Sequence, residues 1–139
     1  MSAGSTSFSG VAVDPSRGIA PAPRSSGLYE FWTDSGKHVW LHDMEFRGFA
    51  YVAAPSPELR ITFDWGDTPV PEPYAGPTVE FDFRDVRITE WEEEFDDEED
   101  RHHLGQVAAF DYSNGIFTLT TYSLSLSFSA ATCHVQSFT

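Results

Sequence analysis

Along much of the chain apolar and polar residues alternate, the period of two that a strand shows with one face in a core and one in water. Leu59, Ile61, Phe63 and Trp65 alternate with Glu58, Arg60, Thr62 and Asp64. Val79, Phe81 and Phe83 do the same with Glu80, Asp82 and Arg84, and Tyr122, Leu124, Leu126, Phe128 and Ala130 with Ser123, Ser125, Ser127 and Ser129. After Arg84 the apolar phase moves by one residue to Val86 and Ile88, which turns every later side chain to the opposite face and predicts a bulge or bend at Arg84-Asp85. A second shift near Ala131 leads to Cys133 and Val135 in a short terminal strand.

Weaker patterns fill in the rest. Leu28–Trp32 is aromatic and β-prone, and Thr33–Lys37 has the Asp and Gly of a tight turn. His38 to Phe46 is apolar on both faces and reads as one strand covered on both sides. Arg47-Gly48 breaks it, Phe49–Val52 is a short continuation, and Pro55 and Pro57 end that piece. Gly66–Pro77 carries four prolines and is a loop. Val107–Tyr112 is a strand, and Ser113-Asn114-Gly115-Ile116 is a hairpin signal, since Asn and Gly tolerate the positive φ of a type I′ turn. The sum is an all-β domain, an antiparallel sandwich or open barrel of about 7–9 short strands. One domain spans residues 28–139. Residues 1–27, built of Ser, Gly, Ala and Pro, are too poor in apolar side chains to fold alone and are expected to be a flexible tail.

One stretch departs from alternation. Glu90, Trp91, Glu92, Glu93, Glu94, Phe95, Asp96, Asp97, Glu98, Glu99 and Asp100 carry nine of the chain's 22 carboxylates and two aromatic rings. Thr89 and Glu92 have capping-box spacing, Gly105 stands where a helix would be capped, and Ile88, Trp91 and Phe95 recur at helical spacing. Against a helix, five like-charge pairs would fall at i,i+4, each destabilising by a few tenths of a kcal/mol. The reading favoured is a strand that continues through Trp91 into a solvated acidic loop, with a short helix as the variant and the two rings half exposed.

Composition narrows the function. A formal net charge of -14 repels phosphate backbones and anionic membranes, so direct nucleic-acid or membrane binding is disfavoured and a cationic protein is the expected partner. No run reaches the roughly 18 apolar residues of a membrane helix, and the N-terminus lacks a secretory pattern, which points to the cytoplasm. The single cysteine, Cys133, cannot close an internal disulfide and is expected to be a buried strand residue.

No catalytic, metal or cofactor set is expected. Cys133 and His134 would face opposite sides of a strand. His38 and His42 would share a face about 13 Å apart, too far for one ion. His102 and His103 beside the acids offer at most loose cation binding, and the run lacks the glycine-centred spacing of a calcium loop. Phosphate-cradling glycine loops are absent.

The expected function is therefore a non-enzymatic protein-binding module that engages a cationic surface, such as the cleft of a nuclease, through residues 90–100. Trp91, Phe95 or Trp65 would supply the buried contact area. The succession Leu41-His42-Asp43-Met44, Leu59–Phe63, Val79–Val86 and Ser123–Phe128 resembles small immunity proteins of bacterial polymorphic-toxin systems. The resemblance covers roughly residues 38–135 and rests on strand patterns. It implies a cytoplasmic inhibitor of one cognate toxin and carries over no binding residue. Three alternatives stand beside it: an acidic mimic of nucleic acid that blocks a DNA-binding or defence protein, a structural subunit with the tail as a docking arm, and a small-ligand carrier or enzyme using an aromatic-lined interior.

Overall fold

A computed structural model describes residues 6–11, 27–93, 106–113 and 115–138. The five-stranded sheet holds β1 (Ser7–Ser9), β4 (Glu45–Val52), β5 (Glu58–Asp64), β6 (Thr78–Arg84) and β11 (Thr132–Phe138) in the order β1-β11-β6-β5-β4. A four-stranded sheet holds β7 (Arg87–Glu93), β8 (Val107–Ser113), β9 (Ile116–Thr121) and β10 (Leu124–Ser129) in the order β7-β10-β9-β8. A two-stranded ribbon, β2 (Glu30–Trp32) with β3 (His38–Trp40), completes the strands. All pairings are antiparallel except β1 with β11. The architecture is all-β, without a closed barrel and consistent with a sandwich.

Alternation produces the core directly. Leu59, Ile61 and Phe63 on β5 and Val79, Phe81 and Phe83 on β6 are buried, and so are Leu124, Leu126 and Phe128 on β10. Rings from the two sheets meet between them: Phe83 lies 4.7 Å from Phe128 and 4.9 Å from Phe117 by centroid, both edge to face, and Phe81 lies 5.2 Å from Phe110. Such contacts suit ring quadrupoles and let phenylalanine supply core mass that the few leucines cannot. Phe31 of the ribbon packs on Phe81 at 5.9 Å and extends the same core.

Both phase shifts mark where the chain leaves one sheet for the other. At Asp85 the backbone adopts φ 57° between β6 and β7, a left-handed bend that swings Val86 inward. Ala130-Ala131 makes the return crossing from β10 to β11 beside it, and Ala131 donates its N–H to the Arg84 carbonyl at 2.9 Å. The Val86 N–H is accepted by Pro57 O at 3.2 Å, tying the crossing to the β4–β5 hairpin.

Several local expectations change. His38–Phe46 is not one strand: a single 3-10 turn, Leu41–Asp43, divides it, so β3 belongs to the ribbon and β4 to the large sheet. Arg47-Gly48 does not end the ladder, because Phe46 pairs with Phe63 and Gly48 with Thr62, leaving Arg47 as the extra residue of a bulge. Tyr122 is outside the strand it seemed to start. The Thr121 hydroxyl accepts the N–H groups of Ser123 at 3.2 Å and Leu124 at 3.1 Å, which stabilises a turn. Ser113 pairs with Ile116 as the hairpin signal requires, with Gly115 at φ 84°.

The segment expected to be a free tail is not free throughout. Ser7–Ser9 adds to the edge of β11, Phe8 packs edge-on against Tyr112 at 5.4 Å, and Val11 is buried. Gly10 has φ 79° and passes so close to Val135 that a Cβ there would overlap its carbonyl. The tail composition that cannot fold alone thus includes a piece that pairs with the large sheet.

Candidate functional site

Strand β7 carries the first four residues of the acidic stretch, Glu90, Trp91, Glu92 and Glu93. Glu94, Phe95, Asp96, Asp97, Glu98, Glu99 and Asp100 lie outside the described residues, as do His102 and His103. The strand therefore runs through Trp91 to Glu93, and none of the capping-box residues up to Glu93 is helical.

Ile88 and Trp91, three apart, would face opposite sides of a regular strand. The register with β10 shows why they do not: Phe128 pairs with Ile88 and the next residue back, Ser127, pairs with Glu90. Thr89 is the extra residue of a bulge, and its hydroxyl donates to Ser127 O at 3.2 Å. The spacing that imitates a helix is thus the spacing of a bulged strand. It puts Ile88, Trp91 and Glu93 on the inner face, opposite Phe128, Leu126 and Leu124, while Arg87, Glu90 and Glu92 point outward beside Ser129, Ser127 and Ser125.

Trp91 faces inward but remains 50% exposed, because β7 is the last strand of its sheet. It packs edge to face on Phe49 of β4 at 5.1 Å, and β4 is in turn the last strand of the other sheet. Two sheet edges therefore meet through side chains. Tyr51, on the same inner face of β4, is 42% exposed. Sequence reasoning singled out Trp91 but missed Phe49, Tyr51 and Arg87, since nothing in one sequence tells which edges adjoin.

Charge is distributed unevenly around this edge. Arg47 is held by Asp64 at 2.8 Å, Arg60 by Glu80 and Asp82 at 3.0 Å each, Arg84 by Glu58 at 3.7 Å and Lys37 by Glu72 at 3.3 Å. Hydrogen bonds donated to Asp64 and to Asp82 raise the pKa of Arg47 and Arg60, respectively. Among the described residues, Arg87 has no carboxylate within ion-pair distance, and Glu90, Glu92 and Glu93 have no cation. Each carboxylate on the strands of the five-stranded sheet, Glu45, Glu58, Asp64, Glu80 and Asp82, has an arginine within ion-pair distance. The negative charge of β7 faces solvent.

The other expected positions resolve as follows. Trp65 is not an available contact residue: it is 7% exposed, and its indole N–H donates to Ala75 O at 3.0 Å. Cys133 is buried, and desolvation, with a smaller effect of Asp82, pushes its thiol pKa far above the usual range. His134 points to the other side, where its Nδ1 meets the Ser9 hydroxyl. His38 on β3 and His42 within the 3-10 turn both stack on Trp40 and engage Glu30 at 2.8 Å and Asp43 at 2.9 Å, respectively.

A groove of about 490 Å³ runs across the outer face of the five-stranded sheet, lined by Arg60, Asp82, Arg84, His134 and Gln136 among others. Its polar groups are largely used on one another. Gln136 donates to Glu80 at 2.9 Å and Asp82 at 3.2 Å, and the Asp82 carboxylate also accepts from Arg60. Among the described residues, the His134 ring bonds to Ser9, and its cross-strand neighbour Asp82 is engaged by Arg60 and Gln136. No helix among the described residues is long and apolar enough to cross a membrane.

Comparison with protein-family models, with curated proteins and with solved structures gives no match.

Proposed function

We propose that the protein is a non-enzymatic binding module whose β7 edge engages a cationic surface of another protein, acting as an immunity-type inhibitor of a basic toxin or nuclease in the cytoplasm. The observation that carries this reading is the combination, on one edge strand, of half-exposed Trp91 with Glu90, Glu92 and Glu93 that lack cationic partners among the described residues. An amphipathic ring amid unpaired charge is the composition of a contact hot spot: the ring supplies area to bury, and the carboxylates steer a basic partner and exclude acidic ones.

Mimicry of nucleic acid fits less well. A phosphate-like surface needs unpaired acids spread over a broad face, whereas Glu58, Asp64, Glu80 and Asp82 on the large sheet are bound to arginines.

The test is capture of partners from the source cell with the full chain and with a Glu90→Gln, Glu92→Gln, Glu93→Gln variant as baits. The full chain is expected to retain a basic protein whose affinity falls steeply with salt. The variant should fold at least as well, since mutual repulsion is relieved, and bind it more weakly with a smaller salt dependence. Equal affinity of the two baits for the same partner would overturn the reading.

A further inference from the structure

Strand β7 is paired with β10 on one side, and no described residue pairs with it on the other. An unpaired edge leaves alternate backbone N–H and C=O groups open, a template on which another extended segment can add. We propose that this edge accepts an extended segment of the partner as an added strand, one in which basic side chains alternate with apolar ones. The inference rests on the binding reading above and names how, and by what kind of segment, the edge is recognised.

The alternation follows from register. A strand laid beside β7 sends successive side chains to the two faces of the sheet, each opposite a residue of β7. On the outer face its side chains meet Glu90 and Glu92, so Lys or Arg is favoured there, and toward the start of the strand they meet Arg87, where a carboxylate fits instead. On the inner face they meet Trp91, which rests on Phe49, so a β-branched or aromatic residue continues the apolar layer. The single cation at one end and the carboxylates at the other also set the direction in which a segment of mixed charge lies.

A second copy of this chain is a poor occupant. Laid parallel, its own β7 would set every outer-face residue against its like; laid antiparallel, Arg87 would meet Glu92 but Glu90 would still face Glu90, and like charges directly opposite in a ladder are destabilising. The features that keep this edge from self-association are those that select a strand of opposite charge.

The full chain, labelled with 15N, is titrated at low ionic strength with the synthetic peptide Thr-Lys-Val-Lys-Val-Glu-Thr, whose lysines match Glu92 and Glu90 and whose glutamate matches Arg87, and with the same peptide N-methylated along its backbone. Methylation keeps every side chain and charge but removes the donors a ladder needs. Strand addition predicts shift changes over residues 87–93, slowed amide exchange in β7, and affinity lower by about tenfold or more for the methylated form. If both peptides bind equally and lose affinity together as salt rises, strand addition is wrong while recognition by charge stands. If neither peptide perturbs β7, both strand addition and the cationic-partner reading are overturned.

Discussion

The consequence of a side chain here is set by how many layers cover it. Phe83 is fully buried and touches Phe117 and Phe128 across the sandwich, whereas Trp91, a larger ring, has one aromatic neighbour among the described residues and half its surface in water. Phe83→Ala should therefore lower unfolding free energy by about 3–5 kcal/mol, and Trp91→Ala by less than half of that. Urea denaturation of the two variants measures the difference; equal losses would mean that Trp91 belongs to the core and has no surface to offer a partner. Alternation in the sequence suffices to predict Phe83. The half exposure of Trp91 was expected from its place in an acidic segment and not from alternation, because a strand pattern reports which face a residue takes and not whether another layer covers that face.

At the scale of elements, the two crossings and the bulges decide the geometry. The Asp85 bend holds a non-glycine residue at φ 57°, in a region that residues other than glycine occupy at a cost. Asp85→Gly should be neutral or raise stability by up to about 1 kcal/mol, while Asp85→Val should destabilise by at least about 1 kcal/mol, because a β-branched side chain strongly disfavours that conformation. Thermal unfolding of both variants tests this, and a stable Val variant would show that the bend relaxes into another path. The phase shift at Arg84-Asp85 was legible as a break in alternation. That the break is a passage between sheets was not, since a bulge within one sheet produces the same one-residue slip. At Thr89 the ambiguity ran the other way, and the three-residue spacing of Ile88 and Trp91 suited a helix as well as a bulged strand until pairing with β10 fixed the register.

For the whole molecule, two buried or half-buried acids make stability depend on pH on the alkaline side. Burial raises the pKa of the Cys133 thiol, and burial, then Asp43 and Glu30, raises that of the Tyr29 hydroxyl. In the unfolded chain the thiol ionises near its ordinary pKa of about 8.5, while the folded chain keeps its proton to higher pH. The unfolded state then binds fewer protons than the native one, so stability is intact below that pH and falls as pH rises above it. The urea midpoint should decline between pH 8 and 10, where about 1.4 kcal/mol per pH unit is the ceiling for one group. Cys133→Ala should flatten the curve; an unchanged slope would place the linkage elsewhere.

What the sequence alone determined follows from short-range rules. The period of two, the Asn-Gly turn and the proline-rich loop select strands and their inward faces, and therefore an all-β sandwich or open barrel with phenylalanines inside. The composition sets a charge of -14 wherever the residues end up. Only the tertiary structure decided which strands stand at the edges, that β7 and β4 adjoin so that Phe49 supports Trp91, and that Ser7–Ser9 is drawn into the large sheet. It also decided which charges cancel, pairing the arginines of β4, β5 and β6 with neighbouring carboxylates and leaving those of β7 open. These are contacts between residues far apart in the chain, and local patterning constrains a residue's face without naming its neighbour.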